Sequence, residues 1–305
     1  MNILISKTQD SILQKNYISQ MQYFQIFKRT KISKVNVSGL IRETNSYGPK
    51  IRGTNAPVLV DEIFQDLLKM KSHIGTNNWT KEMSRYLLGS RNGVSIINLE
   101  YTFISLKRVL KFLENYTRYN KTKSLNSNIL FVNTYNKYSE LVKHVAIRSN
   151  QSYINDRWIG GTITNWKQIS ESILLYDKFH RQFDEFLKMN NIQIPIYEKA
   201  KKRYEGLELD RRSSGIGPSA SVIENKAMQC IIPDIIILTN PDQNNILIQE
   251  AQLYKIPVIA FADSNTLIKG IDYIIPGNNK SIYFMYFCLN LITITLQRNN
   301  LGRKS

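Results

Sequence analysis

Residues 128–146 read NILFVNTYNKYSELVKHVA, and this stretch decides the fold. Ile129, Leu130, Phe131 and Val132 form an unbroken apolar run of strand length. It lacks the in-and-out alternation of a half-solvated strand, so both of its faces have to be covered. From Tyr138 onward, Tyr138, Leu141, Val142, Val145 and Ala146 recur at three- and four-residue spacing and predict an amphipathic helix. A doubly covered strand running straight into a helix is half of a βαβ unit, the building block of parallel sheets.

The same rhythm extends outward in both directions. Downstream, Asp234–Leu238 predicts a strand, Gln243–Leu253 a helix, Ile256–Phe261 a strand and Tyr273–Ile275 the last strand, with an apolar helix from about Lys280 to Arg298 closing one face. Upstream, Ile63, Phe64, Leu67 and Leu68 share one face of a helix beginning at Asp61, with Asp61 and Glu62 in the first turn, where acids suit the helix dipole. Arg91-Asn92-Gly93 marks a turn, Val94–Ile97 a short buried strand, and Leu99, Phe103, Leu106, Leu110 and Leu113 another helix. Counting Val94–Ile97 as its first strand, the alternation predicts an α/β fold: a parallel sheet with helices on both faces.

The middle of the chain breaks this pattern. Trp166–Met189 and Pro195–Leu209 read as two long, highly charged helices joined near Asn190-Asn191, an inserted coiled-coil-like α-helical hairpin projecting from the sheet. The expected organisation is a basic N-terminal extension (1–60), the first part of the α/β domain (61–166), the hairpin (167–210), a linker (211–233) and the second part of the domain (234–305).

Charge is the strongest compositional signal. The 305 residues carry 41 Lys and Arg against 24 Asp and Glu, a net +17. Residues 1–60 hold 9 basic and 2 acidic groups, 61–166 hold 15 and 8, 167–212 hold 10 and 8, and 213–305 hold 7 and 6. Nearly all the excess therefore sits in the first half. Such a surface repels itself unless an anion covers it, and phosphate is the common cover, which points to a nucleic-acid partner over a merely soluble basic protein. With 42% hydrophobic and 21% charged residues, disordered, fibrous and multi-span membrane classes are set aside. The apolar run Ile282–Leu296 falls short of the roughly 20 residues that span a bilayer and reads as a buried core helix. The N-terminus carries basic residues from Lys7 but no hydrophobic run before a cleavage site, which argues against a secretory signal, and no arginine precedes Arg29, which weakens a mitochondrial presequence. The 41 Ile and 30 Asn against 8 Ala are the bias of an AT-rich genome, as in organelles and some protists.

Catalytic and cofactor-binding patterns are poorly represented. Gly215-Ile216-Gly217 follows the charged hairpin and precedes Pro218, the context of a linker and not of a nucleotide cradle; no GxxxxGK[ST] stretch occurs. Gly160-Gly161 suits close backbone packing better than pyrophosphate binding. His73, His144 and His180 are too scattered for a metal site, and Cys230 and Cys288 stand 58 residues apart among apolar neighbours, which fits neither a disulfide framework nor a CxxC site. Asp234, Asp242, Asp263 and Asp272 fall near strand ends; they either meet as a carboxylate or metal site or serve as caps and turn residues, and the second reading is preferred. No catalytic residue, metal ligand, cofactor or small-molecule substrate is assigned. A nucleotide- or sugar-nucleotide-dependent enzyme on the same scaffold is the alternative, since fold does not exclude it.

The loop Lys71–Arg91 (KSHIGTNNWTKEMSRYLLGSR) differs from every other stretch. Lys71, Lys81, Arg85 and Arg91 are interleaved with His73, Asn77, Asn78 and Trp79 without periodicity. Cations fix phosphates while aromatic rings and guanidinium planes stack on splayed bases, the usual means of holding structured RNA. The competing reading is a solvated loop with Trp79 turned into the core. Arg157, beside Trp158, is either a further phosphate contact or half of a buried pair.

Several stretches at their given spacing resemble a known family: Leu67–Asn92, Ile96-Ile97-Asn98-Leu99, Asn128–Val132, Asp156–Trp166 (DRWIGGTITNW), Pro233–Pro241, Glu250-Ala251, Ile256–Ala260 and Asp272–Asn278 (DYIIPGN). They resemble the bacterial-type ribosomal protein S-two family, the second protein of the small ribosomal subunit, from about residue 61 to 299. The resemblance implies a flavodoxin-like sheet with an inserted hairpin, no catalysis, and binding to small-subunit rRNA between head and body. It also implies neighbouring small-subunit proteins as partners. With the AT bias, a mitochondrial, ribosome-bound location follows as the expectation, without membrane attachment. The chain departs from the family pattern at Thr76, where a second histidine is usual, in the shortened loop around Trp79, in the long 211–230 stretch, and in the extension 1–60.

Overall fold

The computed structural model describes residues 56–123, 127–189, 194–204, 206–207 and 232–300. The N-terminal extension up to residue 55, the hairpin connection 190–193 and most of the linker therefore lie outside the described residues. Helix α1 (Ala56–Lys69) precedes a 3₁₀ turn (Met83–Tyr86), strands β1 (Leu87–Arg91) and β2 (Val94–Ile97), and helix α2 (Leu99–Thr122). Then come β3 (Ile129–Val132), α3 (Ser139–Ser149) and β4 (Ser152–Ile154), followed by the hairpin helices α4 (Trp166–Met189) and α5 (Pro195–Tyr204). The chain ends with β5 (Ile235–Leu238), α6 (Asn245–Leu253), β6 (Val258–Ala262), β7 (Tyr273–Pro276) and α7 (Ile282–Asn300).

Five strands form a fully parallel sheet in the order β4-β3-β5-β6-β7. Renumbered within the sheet this is 2-1-3-4-5, the flavodoxin-like order, with its reversal point between β3 and β5. The apolar run Ile129–Val132 is β3, an interior strand between the edge strand β4 and the central strand β5, and Ile129, Leu130, Phe131 and Val132 are all buried. Alternate residues face opposite layers. Leu130, Val132, Ile236, Leu238, Val258 and Ala260 pack against α4, α5 and α6 through Ile173, Tyr176, Tyr197, Leu247 and Ala251. On the other face α7 lies between α2 and α3, and Phe261 meets Phe284 edge-on at 6.4 Å.

Two sequence expectations are corrected. Val94–Ile97 is a strand, but it pairs antiparallel with β1 in a separate two-stranded sheet. Asn92 and Gly93 both take positive φ (52° and 77°), the signature of a tight hairpin turn, which sends the chain straight back and precludes a parallel crossover. The strand that does occupy the sheet edge is β4, only three residues long and containing Ser152 and Tyr153, too short and polar for the pattern to reveal. In addition, α1 begins at Ala56, so Asp61 and Glu62 lie in its second turn instead of its first.

The remaining elements hold closely. Helix α4 has the expected bounds; α5 spans Pro195–Tyr204, and residues 205 and 208–209 of the expected second helix lie outside the described residues. Gly206 passes so close to the carbonyl and ring of Tyr153 that a β-carbon there would collide with both, which covers the exposed edge of β4. Helix α7 is buried on nearly all sides, Cys288 included, and burial pushes the Cys288 thiol far above its ordinary pKa. Thr293 and Thr295 donate their hydroxyls to the carbonyls of Leu289 and Leu291, so the helix buries no unmatched hydroxyl there. Among the described residues no helix is long and apolar enough to cross a membrane.

Candidate nucleic-acid interface

The loop from Lys71 to Arg91 is fastened to the carboxyl end of the sheet by hydrogen bonds that join residues nearly two hundred positions apart. Thr76 donates its amide to Ser264 Oγ at 2.8 Å, and the two hydroxyls share a further bond of 2.8 Å. Thr80 donates its amide to the Ser264 carbonyl (3.0 Å) and its hydroxyl to the Thr266 carbonyl (3.0 Å). In return, Ile268 donates its amide to Glu82 Oε2 at 3.1 Å. Gly75 lies so close to Ser95 and Ser264 that no β-carbon fits. Thr76, which stands where the resembling family has a histidine, is thus half of the main clasp.

The start of the loop is held by the segment after β7. Asn278 donates its amide to the Ser72 carbonyl (3.0 Å) and its side-chain NH₂ to the Lys71 carbonyl (3.1 Å), while Lys71 itself sits at φ 56°. Ser281 Oγ donates to the Met70 carbonyl at 2.8 Å. Gly277 underlies the Phe284 ring with no room for a side chain. The Pro-Gly-Asn stretch therefore works as an anchor for the loop.

The cationic side chains that this clasp leaves outside are the ones the sequence singled out. Lys71, Asn77, Asn78, Lys81, Arg85 and Arg91 are exposed, and Trp79 is 55% exposed, so it is not a core residue. Arg91 sits at the tip of the β1–β2 hairpin. The Arg85 guanidinium lies 5.7 Å from the Tyr86 ring centre, and Tyr86 meets Tyr101 edge-on at 5.8 Å. His73 is different: it is half-buried, and its Nδ1 is enclosed without a hydrogen-bond partner. Arg157 is exposed and so is not half of a buried pair. It follows β4, three strand positions from β6, or about 14 Å across the sheet; the structure places it at the same end without joining it to the loop. Among the described residues none of Lys71, Lys81, Arg85, Arg91 and Arg157 is in an ion pair.

The glycine pair at 160–161 has a use that the sequence did not disclose. Gly161, at φ 89°, donates its amide to Glu250 Oε1 at 2.7 Å, and Ile163 donates to Glu250 Oε2 at 2.9 Å. Thr164 N–H and Trp158 Nε1–H approach the same carboxylate at 3.4 and 3.5 Å. Consecutive amides ahead of a helix make an anion-binding concavity, and here the protein's own buried Glu250 fills it. No sequence signal marked Glu250 except its place in the Glu250-Ala251 pair.

The crevice at the strand-order reversal is likewise occupied from within. Asn240 accepts the Thr134 amide (3.2 Å), donates to Thr134 Oγ1, and donates to Gln243 Oε1 (3.1 Å). Asn244 donates to the Asn240 carbonyl (2.8 Å), and Thr239 Oγ1 donates to Asn133 Oδ1 (2.9 Å). The four aspartates do not gather. Asp234 and Asp272 precede β5 and β7 at the amino end of the sheet, accepting from the Tyr116 hydroxyl (2.6 Å) and the Val258 amide (2.9 Å) respectively. Burial and the nearby Asp234 carboxylate push the Tyr116 hydroxyl well above its ordinary pKa. Asp242 and Asp263 lie at the carboxyl end, where burial raises both carboxyls above the usual range. The bonds of Asp234 and Asp272 reach residues 118 and 14 positions away, so these two are tertiary contacts and not the caps and turns preferred from the sequence. Among the described residues no three His, Cys, Asp or Glu side chains are grouped to hold a metal ion.

The geometry defines a class: a flavodoxin-like domain whose carboxyl-end loop is turned outward as a cationic surface carrying an exposed indole. The family follows from comparison with known proteins. A model of the family described as Ribosomal protein S2 matches residues 67–298. The chain is 36% identical over 220 residues to small ribosomal subunit protein uS2 of Marinobacter nauticus, covering 72% of this chain and 80% of that one. It is similar, at 32% over 247 residues, to small ribosomal subunit protein uS2m of Marchantia polymorpha, covering 77% and 90%. A third relative, uS2 of Pseudoalteromonas translucida, is 35% identical over 240 residues, covering 77% and 91%. The chain belongs to the ribosomal protein S2 family.

Proposed function

We propose that this protein is a structural component of the small subunit of a mitochondrial ribosome, bound to small-subunit rRNA between head and body and in contact with neighbouring small-subunit proteins. The observation that carries the reading is the clasped loop. Residues 71–91 are fastened by hydrogen bonds at Lys71, Ser72, Thr76, Thr80 and Glu82, yet they hold Lys71, Lys81, Arg85 and Arg91 and the Trp79 ring in solvent. Positioned cations fix phosphates, and an exposed ring stacks on an unpaired base. Asn77 and Asn78 lie on the same loop within reach of base edges, and Arg157 extends the surface along the sheet end. His73, half-buried, completes the proposed set of rRNA-binding residues. Family membership supports the ribosomal assignment, and the uS2m relative together with the Ile- and Asn-rich, Ala-poor composition supports the mitochondrial form.

The same geometry supports a role without catalysis. The glycine concavity that a pyrophosphate would need is filled by Glu250, and the reversal-point crevice is crossed by an amide network. The proposal keeps the domain organisation expected from the sequence, with a 1–60 extension, an α/β domain in two parts (61–166 and 234–305), a 167–210 hairpin and a 211–233 linker.

The test is sedimentation of a mitochondrial lysate on a sucrose gradient, following this protein against small- and large-subunit rRNA. Co-migration with the small subunit that is lost at high salt is the expected outcome, because phosphate contacts release counterions and weaken steeply with salt. A protein that stays at the top of the gradient at low salt overturns the assignment.

A further inference from the structure

Helix α2 presents to solvent a face whose chemistry is set apart from the rest of the domain. Its buried positions, Thr102, Leu106, Val109, Leu110, Leu113 and Thr117, define one stripe. The exposed positions Tyr101, Ile104, Arg108, Lys111, Asn115 and Arg118 recur at alternating spacings of three and four, which puts them along the diametrically opposite stripe. Within α2 there are five basic residues and two acidic ones. Arg118 is paired with Glu114 at 3.0 Å, and the other acid, Glu100, stands at the first turn. Among the described residues Arg108 and Lys111 are in no ion pair.

This stripe begins where the candidate loop ends. Arg85 lies over Tyr86, Tyr86 packs edge-on against Tyr101, and Tyr101 is the first exposed residue of the stripe. The Asn98 amide, just before α2, bonds to the Tyr86 carbonyl at 2.8 Å, so helix and loop are held in fixed relation. At 1.5 Å per residue, Arg108 stands about 10 Å and Arg118 about 25 Å along the helix from Tyr101. That places a row of cations over a distance comparable to several successive phosphates of one RNA strand.

We propose that the outer face of α2, centred on Arg108 and Lys111, is a second RNA contact that grips the sugar-phosphate backbone of small-subunit rRNA continuously with the loop at Arg85. It rests on the rRNA reading above and adds to it a second contact surface. The face carries cations and no exposed carboxylate between Tyr101 and Lys111, so it recognises backbone charge and not base sequence.

The experiment titrates salt against binding of the full-length protein to a transcript of the organism's own small-subunit rRNA, comparing three forms: unaltered, Arg108→Gln with Lys111→Gln, and Arg85→Gln with Arg91→Gln. Both pairs are exposed, and thermal unfolding confirms that each variant folds. Losing two phosphate contacts makes the log–log salt slope shallower by about 1.4–1.8 and lowers affinity at 0.1 M salt more than about tenfold. That result is expected for the Arg108/Lys111 form. An unchanged slope for it, with a reduced slope for the Arg85/Arg91 form, overturns this inference and leaves the rRNA reading intact. Absence of salt-dependent binding by the unaltered protein overturns both. In intact small subunits, Lys111 should resist acylation until the RNA is digested with nuclease; protection that survives nuclease means a protein covers the face, and the inference fails.

Discussion

Helices α2 and α4 are both 24 residues long, and they differ in what they offer the outside. Helix α2 lies along the body on α7 and β7, buries Leu106, Leu110 and Leu113, and turns Arg108 and Lys111 outward. Helix α4 contains four basic and four acidic residues. It joins the core through Ile173, Tyr176 and Leu187, yet it leaves Leu175, Phe183, Phe186 and Met189 exposed. A positive, nearly acid-free face attracts a polyanion, whereas balanced charge with exposed apolar groups gives no electrostatic preference for one. The +17 of the whole chain is therefore not a general property of its surface.

The sharpest way to break this contrast is at the root of α4. Glu250→Ala leaves the amides of Gly161 and Ile163 buried without their acceptor, and it should destabilise the protein by on the order of 3 kcal/mol or more in urea unfolding. A loss below about 1 kcal/mol would mean that the turn before α4 is satisfied otherwise.

Next in size is Leu113→Ala on the inner face of α2, a fully buried position, which should cost about 2–5 kcal/mol. Its counterpart on α4, Leu175→Ala, is 70% exposed and should stay within about 0.5 kcal/mol. Equal effects from the two would erase the distinction between a docked helix and a projecting one.

Gly93→Ala, at φ 77° in the β1–β2 turn, should cost about 1 kcal/mol through backbone strain. It should also loosen the presentation of Arg91, seen as weaker rRNA binding without loss of fold. The smallest effect concerns pH. Asp263 is 1% exposed, and its carboxyl is raised by burial. The folded state therefore holds its proton to higher pH than the unfolded state does. The stabilisation tied to this proton is complete below the usual aspartate range and is lost as pH rises through the raised value. Asp263→Asn should flatten the stability profile across that window and leave neutral-pH stability equal or higher. A variant that is less stable at neutral pH, with the same profile, would show that the charged form is stabilised by its surroundings.

Much of this molecule was legible from the chain. The run Ile129–Val132 could only be a strand covered on both sides, the three- and four-residue spacing of apolar positions placed α2 and α3 close to their observed positions, and the long charged stretch 166–189 marked α4. The loop residues Lys71, Lys81, Arg85, Arg91 and Trp79 stood out because cations and a ring without periodicity have no core to serve. Periodicity failed for β4, where three residues give too little pattern, and for Val94–Ile97, whose apolar run says nothing about the direction of its partner. It could not show that Glu250 would fill the Gly161 concavity or that Ser264 would clasp Thr76, because those partners are separated by 89 and 188 residues.

The sequence by itself determined the α/β class, the helical insertion, the uneven charge and the side chains that would seek solvent, because burial period and charge are local properties of a chain. Only the tertiary structure decided which strand joined the sheet, which glycine amides met a carboxylate, and that Arg85 and the outer face of α2 would form one surface. Those outcomes depend on packing between distant segments, where a hydrogen bond or an aromatic contact is fixed by the fold and leaves no mark in the spacing of residues.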